Sequence, residues 1–149
     1  MEARMELTDF ERVAPAARAA LTALSKAATD NGLDKALVEL IKIRASQING
    51  CAFCLQYHLQ LARKAGVPQL KLDLAAAWRE AGVYTEREMA ALQWTESLTG
   101  ISPLGVSDEV YQTATSAFAE EELAALTAAV VAINAWNRIA IAYRFTPPV

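Results

Sequence analysis

The run LAALTAAVVAINAW, Leu123 to Trp136, is interrupted by only two polar side chains, Thr127 and Asn134. It falls short of the roughly 20 apolar residues that a membrane span requires, so it reads as a helix buried in a protein core. The rest of the chain agrees with a helical architecture. Ala and Leu dominate, and no alternating apolar–polar pattern stands between turn residues as a strand would.

Turn residues and caps divide the chain. A first helix lies within APAARAALTALSKAA and ends near Asn31-Gly32, which suit a C-cap. A second runs from about Asp34 to Asn49-Gly50. A third begins at Cys51 and stops at Gly66, ahead of Pro68, and a short fourth covers QLKLDLAAAWREAG. The fifth opens with Thr85-Glu86-Arg87-Glu88, a capping box in which each end satisfies an orphan backbone N–H, and closes at the TGISPLG loop. SDEVYQTATSAF is helical again. The last helix, EEELAALTAAVVAINAWNRIAIAYR, carries acids in its first turn, where the macrodipole favours them. The pattern predicts one all-α domain over residues 1–149, with about six to seven helices.

A chain of 149 residues is large enough to bury a core as one domain. Its 54% hydrophobic content exceeds what such a core needs, and the excess predicts an apolar subunit interface. With a net charge of -3 and no Lys/Arg cluster, the chain lacks the electrostatic footprint of a nucleic-acid binder. MEARMELTDFERV mixes charges and has no apolar stretch of signal-peptide length, so a cytoplasmic location is expected by default, with no membrane partner. In that reducing compartment a cysteine pair points to catalysis or metal binding rather than to a structural staple.

Both cysteines and the single histidine fall within INGCAFCLQYH. Each residue of an α-helix advances by about 100°. Cys51, Cys54 and His58, at i, i+3 and i+7, therefore share one face, and Cys54 and His58 form an i, i+4 pair able to share a proton. Gly50 lets the backbone turn sharply into this helix, so the dithiol lies at a helix N-terminus, where free N–H groups stabilise a thiolate. On the preceding helix, Glu39 lies in a mainly apolar row with Ala36, Ile43 and Ser46. If the two helices fold back on each other, Glu39 orients and polarises His58; otherwise it pairs with Lys35 or Lys42 on a solvated face.

Together, Glu39-x11-Cys51-x-x-Cys54-x3-His58 resembles the core motif of alkylhydroperoxidase D-like (AhpD-like) proteins within the carboxymuconolactone decarboxylase family. ELIKIRASQINGCAFCLQYHLQLARKAG resembles that family throughout, and AINAWNRIAIAYR resembles the last helix of its small peroxidase-related members. The resemblance covers residues 15 to 144 or so. It implies an all-helical fold working as a homo-oligomer, often a trimer or a hexamer. It also implies a cofactor-free thiol peroxidase or disulfide reductase, acting on hydroperoxides and recharged by a thiol reductant or a redox partner protein. In the family pattern Glu39 and His58 relay a proton, Cys54 attacks the peroxide and Cys51 resolves the sulfenic acid. True decarboxylases of the wider family lack the cysteine pair, which argues against ring-lactone decarboxylation. One position departs: Phe53 stands where the best-known AhpD proteins carry a second histidine, which weakens the inference to a lipoyl-type reductant.

The residues alone leave the cysteine roles open, because Cys51 lies nearer the helix terminus while Cys54 is better placed to use His58. They also leave open a redox sensor without turnover and a zinc site built from Cys51, Cys54, His58 and Glu39. Trp136 reads as core or interface packing. Asn137 and Arg138 have no assigned catalytic role, and Phe53 and Tyr57 either line a peroxide pocket or simply pack.

Overall fold

The computed structural model describes residues 1–149 and is helical throughout, with no strand. Nine α-helices follow in order: α1 Leu7–Val13, α2 Pro15–Asp30, α3 Lys35–Asn49, α4 Ala52–Lys64, α5 Gln69–Asp73, α6 Trp78–Ala81, α7 Glu86–Thr99, α8 Asp108–Ala117 and α9 Glu120–Tyr143. The count exceeds the six to seven expected for two reasons. Leu7–Val13 forms a short helix of its own, and QLKLDLAAAWREAG splits into α5, a 3₁₀ turn at Ala75–Ala77 and α6.

The apolar run does lie in a core helix. By length and composition α9 could cross a membrane, but it packs along α2 and α3 and also touches α4, α7 and α8. Leu126, Val130 and Ile133 are sealed inside, each contributing about 1.5–3 kcal/mol through burial. The outer side of α9 leaves Val131, Ile141 and Tyr143 exposed.

Helix α3 is the second axis, with α4, α7 and α9 against it. Every residue from Leu37 to Ile43 is buried, so it has no solvated face over those two turns. Asp34 caps its start by accepting the Leu37 N–H at 3.2 Å. Its end is a Schellman motif. Gly50 sits at φ 69°, a left-handed conformation that favours glycine; the Gly50 N–H donates to the Gln47 carbonyl and the Cys51 N–H to the Ser46 carbonyl. Only Gly50 and Cys51 separate α3 from α4, and the turn folds the two helices back against each other.

Three buried clusters result. One gathers α2, α3, α7, α8 and α9 around Ile41, Leu126 and Val130. A second packs the α5–α6 segment against α3, α4 and α7 through Leu72, Trp78 and Leu92. The third holds both cysteines among Phe10, Ala45, Ile133, Ala140 and Phe145. The chain ends meet here too, since Arg4 donates its N–H to the Tyr143 carbonyl and Thr146 its hydroxyl to Glu6.

Candidate active site

The α3–α4 turn places Cys51 in the N-cap position of α4. There its Sγ accepts the Cys54 N–H at 3.3 Å, as a serine or aspartate oxygen would. Both cysteines are free thiols, only 2% and 3% exposed. They differ in what they face. Cys54 lines a cavity of about 680 Å³ between α2, α3, α4 and α9; Cys51 does not. It sits behind, against Ala45 and Ile133 in the third cluster.

Glu39 and His58, 4% and 8% exposed, meet across the α3–α4 interface. The His58 Nδ1–H donates to Glu39 Oε2 at 2.7 Å. Burial pushes the imidazole below its ordinary pKa, more strongly than Glu39 pulls it up, so the ring is neutral at pH 7. A neutral ring that donates through Nδ1 keeps Nε2 as an acceptor. Nε2 takes no partner within the chain, and His58 lines the same cavity as Cys54. The alternative of a solvated Glu39 paired to lysine does not hold: Glu39 is buried, and Lys35 is exposed and unpaired with it.

The two sulfurs titrate in opposite directions. Cys51 is lowered to about 7, chiefly by a hydrogen bond from the Cys54 thiol; burial opposes this, and the Cys54 and Phe53 N–H groups and the Asn137 amide assist. Cys54 is pushed up because its proton is held by Cys51 and because it is buried. The two thiols titrate as a pair that shares a proton between the sulfurs, and the cavity-facing sulfur carries charge when Cys54 gives up its own.

Polar and aromatic residues outside the predicted relay complete the site. Asn137 is fully buried. Its Nδ2 donates to Ser46 Oγ at 3.1 Å and its Oδ1 accepts from Asn49 Nδ2 at 2.8 Å, which ties α9 to the turn that carries Cys51. Lys42, 6% exposed, reaches across to α2 and donates to Ser25 Oγ at 2.7 Å. Phe53 and Tyr57 both line the cavity, their rings nearly parallel at 6.2 Å. Trp136 lines it as well, edge-on to Phe10 and beneath the Arg18 guanidinium. Arg138 is exposed and bonds only to Asn134.

No three His, Cys, Asp or Glu side chains are grouped so that they could hold a metal ion. The zinc arrangement left open by the spacing has no ligand cage here, because Glu39 is engaged by His58 and Cys51 stays out of the cavity.

A helical fold with a buried dithiol at a helix start, beside a carboxylate–imidazole pair, is of the AhpD-like class. The sequence profile of the carboxymuconolactone decarboxylase family matches residues 15–97, and the chain belongs to that family. Among curated relatives it is 36% identical over 133 residues to the uncharacterised protein YdfG of Bacillus subtilis, covering 89% of this chain and 90% of that one. It is 41% identical over 61 residues to the alkyl hydroperoxide reductase AhpD of Streptomyces coelicolor, a match spanning 38% of this chain and 34% of the relative. Among solved structures, an Agrobacterium tumefaciens protein of unknown function, offered as a candidate antioxidant defence protein AhpD, superposes with a TM-score of 0.92 at 38% identity over 99% of both chains. The debrominase Bmp8 shares the fold at a TM-score of 0.80 and 21% identity, over 91% of this chain and 73% of its own.

Proposed function

We propose that this protein is a thiol peroxidase that reduces hydroperoxides through a Cys51–Cys54 dithiol cycle. The AhpD-like fold and relatives support a peroxidase-related role. The observation that carries the finer reading is the buried His58–Glu39 pair, 2.7 Å apart, opening on the same cavity as Cys54.

The chemistry follows from that arrangement. Glu39 holds His58 in the tautomer whose Nε2 is bare, and Nε2 takes the Cys54 proton. The thiolate attacks the terminal oxygen of the hydroperoxide: an S–O bond forms, the O–O bond breaks, and the alkoxide leaves as an alcohol with the proton from His58. Cys54 is then a sulfenic acid, two electrons oxidised. Cys51 attacks its sulfur, the S–S bond forms, and the Cys51 proton leaves with the displaced hydroxyl as water. An external thiol reductant returns two electrons and two protons. Cys54 takes the first role because it faces the cavity, and Cys51 the second because it sits behind Cys54 at the same helix start, its Sγ 3.3 Å from the Cys54 backbone nitrogen.

Steady-state consumption of cumene hydroperoxide with dithiothreitol tests the proposal. Cys54→Ser is expected to lower the rate by about 10³-fold or more, as loss of a nucleophile does. A rate that Cys54→Ser leaves unchanged would make the dithiol a sensor or a partner-protein reductase instead.

A further inference from the structure

The cavity beside Cys54 is far larger than hydrogen peroxide requires. Its volume of about 680 Å³ lies in the range that encloses a whole organic molecule. Phe53, Tyr57 and Trp136 give part of its wall an aromatic, apolar lining. The charged lining is one-sided: Arg18, Lys26, Lys35 and Lys42 stand against a single carboxylate, Glu39, which is already engaged by His58.

Pairing sharpens the imbalance. Arg18 and Lys26 have their own acids, Glu11 at 2.7 Å and Asp30 at 3.6 Å, neither of which lines the cavity. Lys35 and Lys42 take part in no ion pair. For exposed Lys35 this is ordinary. For Lys42 it is not, because a buried ammonium is normally matched by an anion. Its one hydrogen bond goes to a neutral hydroxyl, Ser25 Oγ. Glu39, one helical turn away on α3, acts on it only through space, and burial still holds the ammonium below its usual pKa. An anion placed in the cavity would supply the missing partner.

We infer that the site takes an organic hydroperoxide bearing a carboxylate, which Lys42 anchors with Lys35 nearby, while the aromatic side chains cover the carbon framework. The inference rests on the peroxidase reading for the reacting group, but its anion-binding part stands apart from turnover. Lys42 and Glu39 are i, i+3 on α3, so the anchor and the relay belong to one helix face. A bound carboxylate would thus hold the O–O bond in a fixed relation to Cys54 and His58.

The test compares cumene hydroperoxide bearing a para-carboxylate with its methyl ester, which differs in charge but little in shape. In the native protein, kcat/KM for the acid should exceed that for the ester by about tenfold or more, a counter-ion's worth of discrimination at a desolvated site. In Lys42→Met that ratio should fall to about threefold or less. A native ratio near one, or a ratio that persists in a folded Lys42→Met protein, overturns the inference. If no hydroperoxide is consumed, the peroxidase reading fails by itself. Calorimetric binding of the corresponding tertiary-alcohol acid then decides the anion site. Binding of the acid but not of its ester, weakened about tenfold by Lys42→Met, supports it; no binding of the acid by the native protein overturns it.

Discussion

Helix α3 carries two polar clusters, a half-buried one at Arg44 and a buried one at Glu39, and they differ in how fully their carboxylates are engaged. At Arg44, one side chain meets a carboxylate that is fully engaged: Glu96 on α7 accepts from Arg44 Nε at 2.7 Å, Trp78 Nε1 at 2.8 Å and Arg79 at 2.6 Å. At Glu39, one turn and a half earlier, the carboxylate has a single hydrogen bond, to His58. His58 keeps a free acceptor, and Lys42 has no ion-pair partner. The first cluster is closed and pins the α5–α6 segment to the core. The second is open toward a cavity and a sulfur. A buried polar group whose capacity is spent holds structure together; one with capacity left over can take a proton or a ligand.

Substitutions that remove either carboxylate's charge should therefore separate activity from stability. Glu39→Gln is expected to cost the largest effect, about a hundredfold in hydroperoxide turnover, the usual worth of a general base's support. Mass-spectrometric tracking of iodoacetamide labelling should show Cys54 reacting only at higher pH. An unaltered profile would make Glu39 structural. Glu96→Gln should act the other way, costing about 2–3 kcal/mol of folding stability with turnover little affected, because Arg44 and Arg79 lose their counter-charge. Urea unfolding reads this directly.

Acid unfolding sharpens the same contrast. Burial pushes Glu96 up, but the Trp78, Arg44 and Arg79 hydrogen bonds outweigh it and leave its pKa below 4.5. The unfolded chain then binds the proton more readily, so this contribution is present above pH 4.5 and is lost as pH falls through the folded value. Glu96→Gln should flatten stability against pH in that window. The smallest effect is expected at Asn137. Asn137→Ala strands Ser46, leaves Asn49 with Asn134 alone, and should cost about 1–2 kcal/mol. It also removes one donor to Cys51, whose alkylation midpoint should rise from about 7.

The sequence made some of this legible and hid the rest for physical reasons. The capping box at Thr85 and Glu88 is present, both hydrogen bonds formed, because its signal is local. The dithiol, His58 and Glu39 could be read because helical spacing and one glycine turn suffice to bring them together. The break in QLKLDLAAAWREAG carries no Gly or Pro; it is set by tertiary packing, with Leu72, Ala75 and Trp78 buried and the Tyr84 hydroxyl donating to the Lys71 carbonyl. Helix α1 was equally silent, since only Phe10 of its residues is buried. Row-counting puts Lys42 on a solvated face beside Glu39, because it assumes a helix with a wet side. With α4, α7 and α9 packed on α3 and α2 crossing near Lys42, that assumption fails.

The central claim is that cavity-facing Cys54, served by the Glu39–His58 pair, attacks the peroxide. It is tested most directly by a single turnover of the Cys51→Ser protein with one equivalent of cumene hydroperoxide and dimedone, read by peptide mass spectrometry. The prediction is a dimedone adduct on Cys54 that is suppressed when Glu39→Gln is added. An unmodified Cys54 after the peroxide has been consumed, or an adduct formed equally fast without Glu39, would contradict the account.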